Sequence, residues 1–237
     1  MKLSIIIPAY NEEKTIEEII KKIQEIDLKK ISKEIIAVDD GSSDGTTKLI
    51  ESLSKKFSNI TLIKHRRNLG KGAAVNSGIK GSTGGIILIQ DADLEYNPID
   101  IPRLLKPILV DNSQVVYGTR LRTKPVFIGK KRTPFLTHFF GNKFLSLATS
   151  VLYNSYISDM ETGYKVFSRD ILEDISLKSK SFNFEAEITA KILKKGIKIK
   201  EIDITTKPRG YNEGKKINTI KDGFDALWTL VRYRFLD

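Results

Sequence analysis

The chain has 237 residues and no cysteine, and 40% of its residues are apolar and 29% charged. That suits one large globular domain or two small ones, and it excludes disulfide frameworks, cysteine-type zinc sites and cysteine nucleophiles. A net charge of +11, from 40 Lys and Arg against 29 Asp and Glu, favours an anionic partner: a nucleotide, a nucleic acid or a membrane surface. Two histidines, His65 and His138, leave little room for a histidine-rich metal site. No stretch approaches the roughly 20 apolar residues that span a bilayer. The apolar run at the start is too short for a signal peptide, so the chain is expected to be soluble or peripheral.

Leu3–Ile7 is a short unbroken apolar run, the pattern of a strand covered on both faces. Ile16, Ile19, Ile20, Ile23 and Ile26 then fall on one face of a helix. Glu34–Val38 reads as a second buried strand and runs into the turn cluster Asp39–Gly45. A helix near Thr46–Phe57, a strand near Ile60–Ile63, a helix over Lys71–Lys80 and a strand over Ile86–Gln90 follow. Pro98–Leu109 reads as a helix and Gln114–Gly118 as a strand. This alternation predicts an α/β fold with a mostly parallel, doubly wound sheet and helices on both faces. Beyond it, Pro134–Tyr153 is rich in Phe and Leu. Phe182–Lys195 reads as a helix, Ile197–Ile204 as a strand and Ile217–Phe235 as a terminal helix. No internal repeat or low-complexity linker divides the chain, so one domain with a C-terminal elaboration is expected.

In such sheets ligands bind beyond the carboxyl ends of the strands. Pro8–Glu13, Asp39–Asp44 and Asp91–Glu95 each follow a strand and are expected to converge on that edge. Asp91-Ala92-Asp93 sets two carboxylates at i and i+2, which suits a hard cation such as Mg2+ or Mn2+, with Glu95 as a third oxygen donor. By itself so common a motif more often describes an acidic loop that is merely solvated and caps the next helix. Asp39 and Asp40 can accept hydrogen bonds from a base or ribose, and the neighbouring glycines permit close backbone approach; a plain turn with Asp44 or Thr46 as N-cap also accounts for them. Asn68-Leu69-Gly70-Lys71-Gly72 offers backbone amides and a lysine to an anion, without the spacing of a P-loop. A solvated lysine turn reads the same way. His65 is expected in a solvated loop, Trp228 as a packing residue, Lys215 and Lys216 as surface charges, and 211–217 as a mobile loop.

Taken in order, Pro8-Ala9-Tyr10-Asn11-Glu12, Val38-Asp39-Asp40-Gly41-Ser42-Ser43-Asp44-Gly45-Thr46, the Asn68–Gly72 segment and Asp91-Ala92-Asp93 resemble family 2 glycosyltransferases. These are enzymes of the Rossmann-like GT-A fold that use nucleotide-activated sugars. Tyr117-Gly118-Thr119-Arg120, Ser158–Lys165, Phe182-Asn183-Phe184-Glu185 and Pro208-Arg209 extend the likeness to dolichyl- and polyprenyl-phosphate glucose and mannose synthases, over nearly the whole chain. The resemblance implies a single domain over 1–237, with 1–118 binding the nucleotide-sugar and 119–237 facing acceptor and membrane. It places Pro8, Ala9, Tyr10, Glu12, Asp39, Asp40, Lys71, Asp91, Ala92 and Asp93 around the nucleotide-sugar. It places Asp91, Asp93 and Glu95 on a Mg2+ or Mn2+ ion, and Arg120, Arg132 and Arg209 on the acceptor phosphate. Asp93, Asp159, Arg120 and Arg209 form the implied catalytic set, with Asp159 a base or a positioning group. The implied reaction is an inverting transfer to a polyprenyl or dolichyl phosphate, with UDP-glucose the preferred donor and GDP-mannose next. Two positions depart from the mannose synthases. Glu95 stands where they often carry Gln, and Phe139-Phe140 precede Gly141-Asn142 where they usually carry an arginine, so that Arg132 becomes the substitute.

Between Asp111 and Asp159 there is no acidic residue, while Arg120, Arg122, Lys124, Lys130, Lys131, Arg132 and Lys143 lie there. Phe135, Leu136, Phe139, Phe140, Phe144, Leu145 and Leu147 recur in the same stretch at helical spacing. This describes either a helix lying in a lipid interface or a core helix covering the sheet. The expected partners are therefore a nucleotide-sugar, a polyprenyl phosphate and an anionic membrane at its cytoplasmic face, reached by reversible binding or through a membrane-anchoring subunit. A saccharide hydroxyl is the alternative acceptor; it needs a general base, for which Asp159 is the candidate. Nucleic-acid binding rests on charge alone and has no recognisable motif behind it, so no nucleic-acid partner is expected.

Overall fold

The computed structural model describes residues 1–121, 136–181, 183–207 and 219–236. Arg132, Phe135, Phe182, Pro208, Arg209, Lys215, Lys216 and the segment 211–217 lie outside those residues. The first half alternates as its patterning predicts: β1 (Lys2–Ala9), α1 (Ile16–Glu25), β2 (Ser32–Asp39), α2 (Thr46–Lys56), β3 (Ile60–Lys64), α3 (Lys71–Gly81) and β4 (Ile86–Ile89). A 3-10 turn at Pro98–Asp100 then enters α4 (Ile101–Val110), with β5 (Val115–Thr119) after it. The second half holds α5 (Leu136–Tyr153), β6 (Lys165–Ser168), α6 (Arg169–Glu173), α7 (Phe184–Lys194), β7 (Ile199–Asp203) and α8 (Thr219–Phe235).

The strands form one sheet in the order β3-β2-β1-β4-β6-β5-β7. Only β6 runs against the rest, pairing antiparallel with both β4 and β5. Sequence reasoning missed this strand. Its four residues, Lys-Val-Phe-Ser, are too few to show a period, and it begins with a fully buried lysine.

Successive side chains of a strand point to opposite faces, and β1 shows what that builds. Leu3, Ile5 and Ile7 join a core with α1, α2 and α4, whereas Ile6 joins Val75 of α3 and residues of α5, α7 and α8 on the other face. On α1, Ile16, Ile19, Ile20 and Ile23 are the buried stripe, each contributing about 1.5–3 kcal/mol by leaving water. The C-terminal helices thus belong to one of the two layers that cover the sheet.

Two expectations are modified. The Phe- and Leu-rich segment is partly core and partly not: Leu145 and Tyr153 are buried on α5, whereas Phe140, Phe144, Leu147 and Val151 are exposed. Trp228 does not pack inside. It shares the outer face of α8 with Phe224, while Ala226, Leu230 and Tyr233 form the inner one. Among the described residues no helix is long and apolar enough to cross a membrane.

The chain order changes direction at β1. β2 and β3 extend the sheet to one side and β4 lies on the other, which opens a crevice at the carboxyl ends of β1 and β4. Backbone bonds carry the sheet a residue further there: Asp40 N donates to Ala9 O (2.8 Å) and Gln90 N to Ile6 O (2.9 Å). The three polar clusters leave the sheet side by side, as predicted.

Candidate active site

The segments after β1 and β2 are knitted to each other. Asn11 Oδ1 accepts from Ser43 N (2.8 Å), Asn11 N donates to Ser42 Oγ (2.9 Å), and Glu12 N donates to Thr46 Oγ1 (2.8 Å). Pro8 and Tyr10 are half-buried beside this joint, and Ala9 is buried in the core. The Glu12 carboxylate accepts from Thr15 Oγ1 at 2.9 Å.

Asp39 and Asp40 both face inward. Asp39 is fully buried and accepts from Ser42 N (3.0 Å) and the Thr47 hydroxyl, so it anchors the turn and the start of α2. Asp40 accepts from Leu69 N (3.0 Å), Gly70 N (2.8 Å) and His65 Nδ1 (2.6 Å), while His65 Nε2 meets Ser77 Oγ at 2.8 Å. His65 is therefore a nearly buried brace, not the solvated loop residue expected. Its surroundings, Lys64-His65-Arg66-Arg67, read as surface because the charged residues around it are exposed. Gly41 sits at φ +73°, and an added Cβ would lie 2.4 Å from the Arg67 carbonyl carbon. Its freedom serves a crossing of two backbone segments rather than a ligand.

Those bonds fix the Asn68–Gly72 turn and so the first residue of α3, Lys71. Its ammonium lies 2.8 Å and 3.1 Å from the two oxygens of Asp91 and 2.8 Å from Glu185 Oε1 at the head of α7. Burial alone would lower the pKa of Lys71, but the Asp91 and Glu185 charges outweigh it and hold the pKa well above the usual lysine value. Gly163 completes the contact: a Cβ there would lie 2.3 Å from Asp91 Oδ2.

Ala92 is buried in the core, so it spaces Asp91 and Asp93 rather than facing the crevice. Asp93 Oδ1 accepts from Glu95 N at 3.0 Å, around Leu94 at φ +63°. Among the described residues no three acidic or histidine side chains converge to cage a metal. The donor set, two partly buried carboxylates of which Asp91 is also held by Lys71, fits a hard cation that completes its shell with substrate phosphates and water.

Across the crevice, Arg120 at the end of β5 makes a two-pronged pair with Asp159, Nε to Oδ2 and Nη2 to Oδ1, both 2.7 Å. Asp159 is fully buried, also accepts from Arg120 N (2.9 Å), and is backed by Glu201, which accepts from its amide. Its carboxylate is thus occupied in orienting a guanidinium. Arg120 Nη1 donates to Tyr96 Oη (3.0 Å), which also accepts from Gly163 N (2.9 Å). Burial raises the pKa of the Tyr96 phenol, so it stays protonated.

Sequence reasoning missed Tyr96 and the part played by Glu161, Lys165 and Glu185. Two of the four lay inside the Ser158–Lys165 signature, where a lysine and a glutamate between apolar residues were the available signal. Lys165 is fully buried, its ammonium donating to Met160 O (3.1 Å) and Thr162 O and lying 4.5 Å over the Tyr117 ring; burial lowers its pKa. Glu161 is pushed up to about 7, first by burial and then by the Glu185 charge. Glu161 Oε1 and Glu185 Oε2 are buried without a hydrogen-bond partner among the described residues. The structure therefore brings Lys71, Asp91, Arg120 and Asp159 together with these groups, and leaves Arg132 and Arg209 outside its described residues.

Comparison with known proteins bears on the family and the fold. An uncharacterized protein of Methanocaldococcus jannaschii is 30% identical over 240 residues, covering 98% of this chain and 99% of its own. The UDP-N-acetylglucosamine–dolichyl-phosphate N-acetylglucosaminyltransferase of Methanococcus voltae is 32% identical over 244 residues, covering 96% and 94%. The crystal structure of glucosyl-3-phosphoglycerate synthase from Mycobacterium tuberculosis, in complex with Mn2+, UDP and phosphoglyceric acid, superposes with a TM-score of 0.74 at 19% identity. That match covers 100% of this chain and 79% of the other, and it shows a shared GT-A fold. The family model described as glycosyl transferase family 2 matches residues 4–176. A GT-A sheet with an Asp-x-Asp pair at its crevice, matched along most of its length, makes this chain a member of glycosyl transferase family 2.

Proposed function

We propose that this glycosyltransferase moves a sugar from a UDP-sugar to the phosphate of a polyprenyl or dolichyl lipid, with inversion. The observation that carries the reading is the Arg120–Asp159 pair. A hydroxyl acceptor needs a base to take its proton, and the carboxylate expected for that task is fully buried against a guanidinium. A phosphate monoester brings its own anionic oxygen and needs only placement and charge stabilisation. That oxygen forms the bond to the anomeric carbon while the bond from that carbon to the diphosphate breaks, and the nucleoside diphosphate leaves.

Pro8, Tyr10, Glu12, Asp39 and Asp40 belong to the nucleoside side of the site, the last two as buried braces. Asp91 and Asp93 are the residues to hold a Mg2+ or Mn2+ ion, with Glu95 beside them, and such an ion neutralises charge on a departing diphosphate. Lys71 keeps Asp91 in place. Arg120 offers the outer edge of its guanidinium to phosphate oxygens, and Arg132 and Arg209 are proposed for the acceptor phosphate. The motifs favour glucose as the sugar; the Methanococcus voltae relative, named for N-acetylglucosamine, makes that sugar the direct competitor. The enzyme is proposed to work at the cytoplasmic face of a membrane.

A saccharide hydroxyl is the second reading, favoured by Glu161, whose Oε1 has no hydrogen-bond partner among the described residues and whose pKa of about 7 suits a general base. The test is nucleoside diphosphate release from UDP-glucose, UDP-N-acetylglucosamine and GDP-mannose, with Mn2+ or Mg2+, in the presence and absence of a short polyprenyl phosphate. Release from one UDP-sugar that requires the lipid phosphate, and is abolished by Asp93→Ala, is the expected result. Release that requires a saccharide instead would move the assignment to the second reading.

A further inference from the structure

Two helices turn apolar faces outward. On α5, Phe140, Phe144, Leu147 and Val151 are each more than half exposed, and their spacing of four, three and four residues makes them one stripe. On α8, Phe224, Trp228 and Phe235 are similarly exposed and continue through half-buried Val231 at the same spacing. The other faces of the two helices share a core. Leu145, Tyr153, Ala226, Leu230 and Tyr233 belong to one cluster, Tyr153 Oη donates to Leu230 O (2.8 Å), and the Arg234 guanidinium lies 5.9 Å from the Tyr153 ring centroid. Lone surface hydrophobics are ordinary, but aligned stripes on adjacent helices mark a surface that something covers.

Charge identifies the cover. The chain carries +11, and α5 holds Lys143 beside Phe144 and no acidic residue. Arg232 and Arg234 are exposed near the end of α8. An apolar helix face framed by basic residues complements a negatively charged lipid surface. Tryptophan suits the boundary between headgroups and acyl chains.

We propose that the outer faces of α5 and α8 dock this protein on an anionic lipid bilayer, with Phe144 and Leu147 entering the acyl boundary and Trp228 at headgroup level. The inference rests on these two faces and their charge, not on the identity of the acceptor.

Trp228 is the only tryptophan of the chain, so the full-length protein reports its own docking. The experiment titrates it with vesicles of phosphatidylcholine alone and of phosphatidylcholine mixed with phosphatidylserine, following Trp228 emission and co-sedimentation. The expected result is a blue shift and sedimentation with the anionic vesicles that weaken at high salt. Phe144→Ser/Leu147→Ser should reduce the partition about tenfold or more without changing thermal unfolding, because both residues are exposed. Val110→Ser, on an exposed apolar residue of α4, should leave it unchanged. Absence of vesicle binding by the native chain overturns the proposal. If the same double substitution then converts a dimer to a monomer, the faces are instead an interface between copies. Turnover with a short, water-soluble prenyl phosphate, measured on the same variants, needs no bilayer, so failure of the docking surface and failure of the proposed reaction are seen separately.

Discussion

Asp159 and Arg120 are neutralised by each other in a place where neither is fully hydrated, and that decides what each substitution does. Removing one partner of a buried pair leaves an uncompensated charge and costs about 3–5 kcal/mol, whereas replacing both with apolar groups is often nearly neutral. Arg120→Met should therefore lower stability to urea by about that amount, and Arg120→Met/Asp159→Leu should recover most of it. Turnover should stay lost in both, because the guanidinium proposed to face the phosphates is gone. Recovery of turnover in the double variant would show that the pair only holds the fold. Glu161 gives a different signature. Its pKa is about 7 in the folded chain against an ordinary 4.5. Below about pH 4.5 it is protonated in both states and contributes no slope. Between there and pH 7 the unfolded chain releases a proton that the folded chain keeps, so stability falls as pH rises and levels off above 7. Glu161→Gln should flatten that slope. It should match the native chain near pH 4 and exceed it at pH 8 by on the order of 3 kcal/mol, as measured by denaturant unfolding across the range.

At the scale of elements, α3 shows how closely a helix must sit on the sheet to deliver Lys71. Gly78, two turns on from Lys71, faces β1, and an added Cβ would lie 2.4 Å from Ile6 Cγ2. Gly78→Ala has to push the helix away or force Ile6 off its rotamer, which costs typically about 1–3 kcal/mol. The expected outcome is a lower urea midpoint together with weaker nucleotide binding, because the same displacement moves Lys71 from Asp91. The elements themselves were legible where a period had room to repeat. The four isoleucines of α1 and the apolar runs of β1, β2 and β4 put their strands and helices where the structure has them. β6 was illegible for want of length, and the outward turn of Trp228 because the spacing of α8 does not say which of its two apolar stripes, Phe224-Trp228 or Ala226-Leu230-Tyr233, meets the core. The site was legible as motifs after strands. What the motifs did not carry was direction. Asp39, Asp40 and Asp159 are as buried as core residues, and the long-range partners of the last two, His65 and Arg120, are close to them only after the sheet has formed.

For the whole molecule, the site is a meeting of distant parts of the chain: the ends of β1, β2, β4 and β5, the 158–165 segment and the head of α7. A ligand held there ties the two layers around the sheet to each other, so its binding free energy acts on global unfolding. At about a hundredfold excess over its Kd a ligand that binds only the folded chain adds about 2.7 kcal/mol, and a chain of this size gains about 2–4 °C per kcal/mol. UDP-sugar with Mn2+ should therefore raise Tm by about 5–10 °C. Chelating the metal should remove much of that rise, since the ion proposed to offset the diphosphate's charge is then gone. Gly163→Ala separates this effect from general stability. Its Cβ would lie 2.3 Å from Asp91 Oδ2 and 3.2 Å from Lys71 Nζ, so it disturbs the Asp91 carboxylate, which ties the end of β4 to Lys71 of α3 and, through Lys71, to Glu185 at the head of α7. The ligand-free Tm of that variant should fall modestly while the rise on adding donor and metal disappears. A full rise in Gly163→Ala would show that the donor diphosphate is bound without Asp91.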